Sequence, residues 1–133
     1  MMMRKMACLL LIWVGFSSFA FAESKKEYAP NVMIGDGKNG NSGTRWNMML
    51  EERPIKEIRI RMQRVKGNDQ TFVNLRFGPK GQTLDGGKRV YLKNNDEVVI
   101  TWNVGGQSPG NQPLYLIGYA GEVKVMKVAV IYQ

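Results

Sequence analysis

A chain of 133 residues with one cysteine, no histidine and a formal charge of +8 excludes every mechanism that needs an imidazole base. With the lone Cys8 set aside in an N-terminal leader, the usual zinc, copper and haem ligand sets are excluded as well. Oxygen ligation is what remains for a metal.

The leader is read from Arg4 and Lys5, the apolar run Leu9 to Val14, and Ala20-Phe21-Ala22, the order of an export signal with cleavage expected after Ala22. The apolar run is broken by Gly15, Ser17 and Ser18 and is shorter than a bilayer span. Cys8 precedes the run, where a lipid-modified cysteine would follow it. Removing residues 1–22 leaves 111 residues at +6, enough for one core and too few for two. No disulfide can form within that mature chain. The expectation is an exported protein of the periplasm or extracellular space.

Residues 23–30 are charged and end in Pro30, which predicts a flexible leader or an edge segment. A single domain is expected over 31–133. Val32 to Ile34 reads as a short strand, and Gly35 to Gly43 as a turn-rich loop whose glycines, Asp36, Asn39, Asn41 and Ser42 favour positive φ. Thr44 to Leu50 alternates, with Trp46 on the face of Met48 and Leu50, so that the indole is a core anchor. Ile58, Ile60 and Met62 alternate with Arg59, Arg61 and Gln63, the pattern of a strand wet on one side. The apolar phase slips at 55–58, at 62–65 and between Val125 and Val128, which predicts bulges or strand ends. Lys66 to Gln70 and Ala120-Gly121 are read as turns and Gly78 to Lys88 as a long loop. Thr71 to Phe77, Arg89 to Leu92, Glu97 to Val104, Leu114 to Tyr119 and Glu122 to Tyr132 are further strands. Gly105 to Pro113 is a second large loop. About eight short strands with no helical periodicity predict an all-β antiparallel β-sandwich of jelly-roll type, with a small barrel as the alternative.

The segment GNSGTRWN (Gly40 to Asn47), followed by KEIRIRM (Lys56 to Met62), resembles the start of galactose-binding-domain-like sandwiches, the discoidin and carbohydrate-binding-module group. VKVMKVAVIY (Val123 to Tyr132) is similar to the strand that closes them. The resemblance implies a calcium ion stapling the first loop to the last strand. Simple alternation of strand direction also brings Glu122 near Asp36, and Asp36, Asn39, Asn41, Thr44 and Glu122 are the oxygen ligands a hard cation would take. The alternative is that these groups only satisfy turn backbone, with Glu122 paired to a lysine.

Sugar recognition uses planar amides and guanidinium groups for hydroxyls and an aromatic face for the apolar side of the ring. Gln107, Asn111 and Gln112 on one loop, Tyr115 just beyond it, and Gln82 on the other loop, beside Lys80 and Asp85, supply that chemistry. In the simple alternation both loops lie at the end opposite Gly35 to Gly43. Lys56, Arg59, Arg61, Arg64, Lys124 and Lys127 form a basic set that suits an anionic glycan, although a solvated sheet face is the favoured reading. Export disfavours nucleic acid as a partner. Glu51 and Glu52 alternate faces, and no nucleophile has a base and an orienting group. The function expected is therefore non-catalytic binding, with a glycan or cell-envelope polysaccharide as the leading ligand. The alternative is a structural or protein-interaction domain of the periplasm or cell surface, with a protein partner and no small ligand.

Overall fold

A computed structural model describes residues 23–35 and 42–133, so the export leader predicted over 1–22 lies outside the described residues. Seven strands follow in order: β1 (Ser24–Tyr28), β2 (Val32–Gly35), β3 (Ser42–Met48), β4 (Ile55–Phe77), β5 (Val90–Tyr91), β6 (Glu97–Gln107) and β7 (Leu114–Tyr132). The one helical piece among the described residues is a 3-10 turn at Asp85–Gly87. Among those residues no helix is long and apolar enough to cross a membrane.

Two strands organise the rest. β4 has 23 residues and β7 has 19, and they pair antiparallel along their length, from Ile55 opposite Tyr132 to Phe77 opposite Leu114. In the first half of this ribbon β6 flanks β4, while β1 and β2 flank β7. In the second half β5 flanks β4 and β3 flanks β7. The seven strands thus form one antiparallel sheet folded into two layers, the sandwich of jelly-roll type that the strand pattern predicted.

The two layers meet in one core. Ile58, Ile60, Trp102, Val125 and Val130 from the first layer join Val73, Leu75, Leu114 and Leu116 from the second in a single buried cluster. Alternation explains this set, because successive strand residues point to opposite faces and only one face of each layer is apolar throughout. Trp46 packs against the cluster as an anchor. Trp102 is fully buried with its indole N–H unpartnered, a cost of about 1–3 kcal/mol accepted within the apolar burial of the ring. Tyr132 closes the core. Its hydroxyl accepts a hydrogen bond from the Glu51 N–H at 3.2 Å, and burial holds its pKa above the ordinary phenol value even though that bond opposes the shift.

The fold departs from the sequence reading in two places. Lys66 to Gln70 and Ala120-Gly121 do not reverse the chain; they form a bend inside continuous strands, so the expected eight short strands become seven, two of them long. The reason is that the two segments oppose each other. Gly67 pairs with Gly121, and the register shifts between Gly67 and Phe72. Second, of the two readings of residues 23–30 the flexible leader fails and the edge segment holds: β1 pairs residue for residue with β7, Ser24 opposite Tyr132 through Tyr28 opposite Val128, and Tyr28 packs against the core. The backbone groups along β7 beyond β4 need partners, and this segment supplies them. The predicted bulges are present at Ile55/Glu57, Arg61/Met62 and Arg64/Lys66, the second skipping Met126 between Val125 and Lys127.

The bend is held by Thr71, the one buried polar residue among the described residues. Its Oγ1 donates to the Ala120 carbonyl at 2.7 Å and accepts from the Asn68 N–H at 3.1 Å. A Cβ on Gly121 would stand 2.3 Å from the Lys66 carbonyl oxygen, and the residue has φ +153. Thr71→Val should therefore cost about 1–3 kcal/mol, because it removes a buried hydroxyl that serves two backbone groups at the bend, and Thr71→Ser should recover most of that loss. Gly121→Ala should destabilise by at least as much, since the obstructing atom is backbone. Thermal unfolding of the three variants measures this, with each kcal/mol worth several degrees in a domain of this size.

Candidate binding site

A cleft of about 960 Å³ opens at the end of the sandwich where β4 leaves its layer, a size suited to a small ligand. One wall is the loop after β4, residues 78–88. This loop folds back on its own strand: the Leu84 N–H donates to the Leu75 carbonyl at 2.7 Å, Arg76 and Thr83 form an isolated antiparallel bridge, and the buried Leu84 side chain joins the core. Gly78, at φ +78, starts the reversal, and its N–H donates to the Pro113 carbonyl at 2.7 Å. The other wall is the end of β6, from Asn103 to Gln107.

Phe77, Leu84 and Val104 form the apolar part of the lining, and Gln82, Thr83, Asp85, Asn103 and Gln107 supply its polar side chains. Asp85 is the one charged residue in the lining. Three planar amides and one hydroxyl offer both donors and acceptors, around an opening edged by the backbone of Gly81, Gly86, Gly87 and Gly105. This donor and acceptor set matches neutral hydroxyl groups.

Of the ligand residues expected from sequence, the cleft brings together Gln82 and Gln107. Asn111, Gln112 and Tyr115 do not line it. The Asn111 N–H and the Gly110 N–H are held by the two carboxylate oxygens of Glu52, at 2.7 Å and 2.9 Å. The Gln112 side chain lies over Gly78, where a Cβ would come within 2.7 Å of its Oε1. Tyr115 is on the outer face of the second layer, with the Arg45 guanidinium 5.8 Å from its ring centroid. Asn103 and Thr83 were missed. The outward phase of Asn103 in the alternation of β6 was legible, but its position beside a loop remote in sequence was not.

The expected cation ligands fall differently. Asp36, Asn39 and Asn41 lie outside the described residues. Thr44 and Glu122 are both register partners of Gly35, which puts them on either side of the residue that precedes Asp36. The Thr44 hydroxyl donates to the Gly35 carbonyl at 3.2 Å, and Glu122 stands opposite Lys66. Among the described residues no group of three or more carboxylates gathers at one point.

The basic set is largely neutralised on the outer face of the first layer. Arg59 pairs with Glu57 at 2.8 Å, Arg61 with Glu97 at 3.3 Å, and Lys56 with Glu23. Arg64 is occupied in holding the 94–96 turn through Asn95 Oδ1 and the Leu92 carbonyl. Such exposed pairs mainly solvate a sheet face and add little stability.

No protein-family model matches the chain, and no curated protein does. Solved structures do match. The chain is similar to the Tobacco streak virus coat protein, with a TM-score of 0.53 and 11% identity over 84% of each chain. It is also similar to a protein of Bacillus endospore appendages, which form pili, with a TM-score of 0.50 and 7% identity over 84% of this chain and 88% of that one. The chain has a β-sandwich fold. CsCBM6-3 from Clostridium stercorarium, solved in complex with cellobiose, matches at a TM-score of 0.46 and 19% identity, over 82% of this chain and 92% of that one. The architecture implied by the resemblance to galactose-binding-domain-like sandwiches is the architecture observed, and at these identities the likeness is one of fold alone.

Glu52 is the clamp on the loop beside the cleft. Glu52→Ala should release the Gly110 and Asn111 amides, and hydrogen exchange at those two positions should accelerate while the β4 and β7 core amides stay protected.

Proposed function

We propose that the chain is an exported, non-catalytic binding domain whose ligand is carbohydrate, bound in the cleft between residues 78–88 and the end of β6. One observation carries the reading: the fold brings Gln82 and Gln107, 25 positions apart in sequence, into one cleft with Asn103, Thr83 and Asp85. The amides bind ring hydroxyls, over a floor formed by the buried Phe77, Leu84 and Val104. Export to the periplasm or extracellular space rests on the charged, apolar and small-residue order of the first 22 residues.

A glycan array probed with the purified protein tests the reading. Reproducible hits competed by free sugar are expected. Asn103→Ala and Gln107→Ala should each weaken binding of such a hit by about 1 kcal/mol, roughly fivefold. A blank array overturns the carbohydrate reading and favours the protein-interaction alternative.

We also propose that calcium stabilises the segment between β2 and β3. The support is the register that sets Thr44 and Glu122 both opposite Gly35, next to a loop carrying Asp36, Asn39 and Asn41. The chemistry suits the ion, since all of these groups offer oxygen and two are carboxylates. The melting temperature should rise with calcium and fall with a chelator, and Glu122→Gln should remove most of that difference. An unchanged melting temperature between the two conditions sinks the staple.

A further inference from the structure

The outer face of the second layer differs in kind from that of the first. Its side chains fall in three rows across the strands. One row is Asn47, Tyr115 and Arg76; the next is Arg45, Ile117 and Asn74. The third holds Tyr119, Phe72 and Tyr91. No carboxylate stands in these rows, and among the described residues neither Arg45 nor Arg76 forms a salt bridge. Arg45 lies against an aromatic ring instead, over Tyr115 at 5.8 Å, and at the margin Arg89 lies over Phe72 at 4.7 Å. Phe72 in turn stacks on Tyr119 with ring centroids 4.6 Å apart. A guanidinium that rests on a ring keeps its donor edge free for a bidentate acceptor.

Two polar atoms on this face have no partner. Arg76 Nε is a buried donor and Asn74 Oδ1 a buried acceptor, two positions apart on the same side of β4. Leaving them unmet is costly, and a ligand that reaches them relieves that cost if it brings an anionic acceptor and a hydroxyl donor together. An acidic sugar does so: its carboxylate accepts from arginine, its ring hydroxyl donates to Asn74, and its ring lies against tyrosine. A DNA phosphodiester backbone offers the charge without the donor. Ile117, buried although it points away from the core cluster, floors the strip between Arg45 and Asn74, whose Cα atoms are about 10 Å apart from the usual strand spacing.

We infer that this face is a second site, separate from the cleft, that binds an acidic polysaccharide through Arg45, Arg76 and Asn74 with Tyr115 as the ring platform. The charge on the first layer's face does not duplicate it, because Arg59 and Arg61 there are already paired with Glu57 and Glu97.

The test compares binding of the purified protein to polygalacturonate, to its fully methyl-esterified form, and to single-stranded oligothymidylate. The acidic polymer should bind at least tenfold more tightly than the ester and more tightly than the oligonucleotide. Arg45→Gln and Arg76→Gln should each reduce that binding at least fivefold, Arg45→Lys should give an intermediate loss because the fork geometry goes while the charge stays, and the Arg59→Gln, Arg61→Gln double variant should change it less than twofold. Arg45 is exposed, so its variants report even if Arg76→Gln does not fold. Equal binding of acid and ester, tighter binding of the oligonucleotide, or an equal loss from the Arg59 and Arg61 variant overturns the inference. The Asn103→Ala, Gln107→Ala cleft variant should keep polygalacturonate binding, so a failure of the cleft reading and a failure of this one are told apart.

Discussion

The bend in the β4–β7 ribbon is the constraint on which the rest of the molecule depends. Two strands of 23 and 19 residues, paired end to end, would by themselves make a long twisted hairpin with one apolar side open to water. The bend folds that hairpin over so that its halves face each other, and every other strand then adds to one half or the other. Close backbone approach makes the bend possible, since Gly67 and Gly121 leave no room for a Cβ. Thr71 pins it by satisfying a carbonyl and an N–H that the bulged register would otherwise strand. A hydroxyl at full burial is tolerated there because both of its hydrogen-bonding roles are filled.

The same bend separates the two outer faces. The first layer ends up carrying lysine, arginine and glutamate that pair along a strand, as Arg59 and Glu57 do, or across to a neighbour, as Arg61 and Glu97 do. The second carries tyrosine, phenylalanine, asparagine and arginine with no acid in its rows. The residues that make this difference come from β3, β4, β5 and β7, four separate stretches of sequence. The cleft is likewise a product of folding. Loop 78–88 is held down by Leu84 at the place where β6 runs to the end of its layer, so one amide from the loop and two from the strand share one opening.

Much of the architecture was legible because period-two alternation is a local property. The inward phase of Ile58, Ile60 and Met62, the core role of Trp46 and the bulges around Ile55 and Met126 all follow from neighbouring residues. Glycine-rich polar segments were harder. Lys66 to Gln70 has the composition of a turn, yet it bends rather than reverses, because what decides between the two is the Gly121 segment some 50 positions away. The charged residues 23–30 show no burial pattern strong enough to announce a strand; they become one through the unpaired edge of β7. Of the expected ligand residues, Gln82 and Gln107 share the cleft, while Asn111 is turned to a loop role by Glu52, and Tyr115 goes to the opposite side of the sheet from the core by simple parity.

By itself the sequence determined the all-β class, the single core of alternating apolar residues, and the absence of imidazole chemistry. Those properties depend on residue type and on spacing of two or three positions, where the pleat leaves little freedom. Which charges are neutralised, which amides face one cleft, and that Arg45 stands on Tyr115 without a counter-ion were decided by strand register. Register is set by long-range pairing, and a shift of one residue in β4 or β7 would send that strand's side chains to the other face.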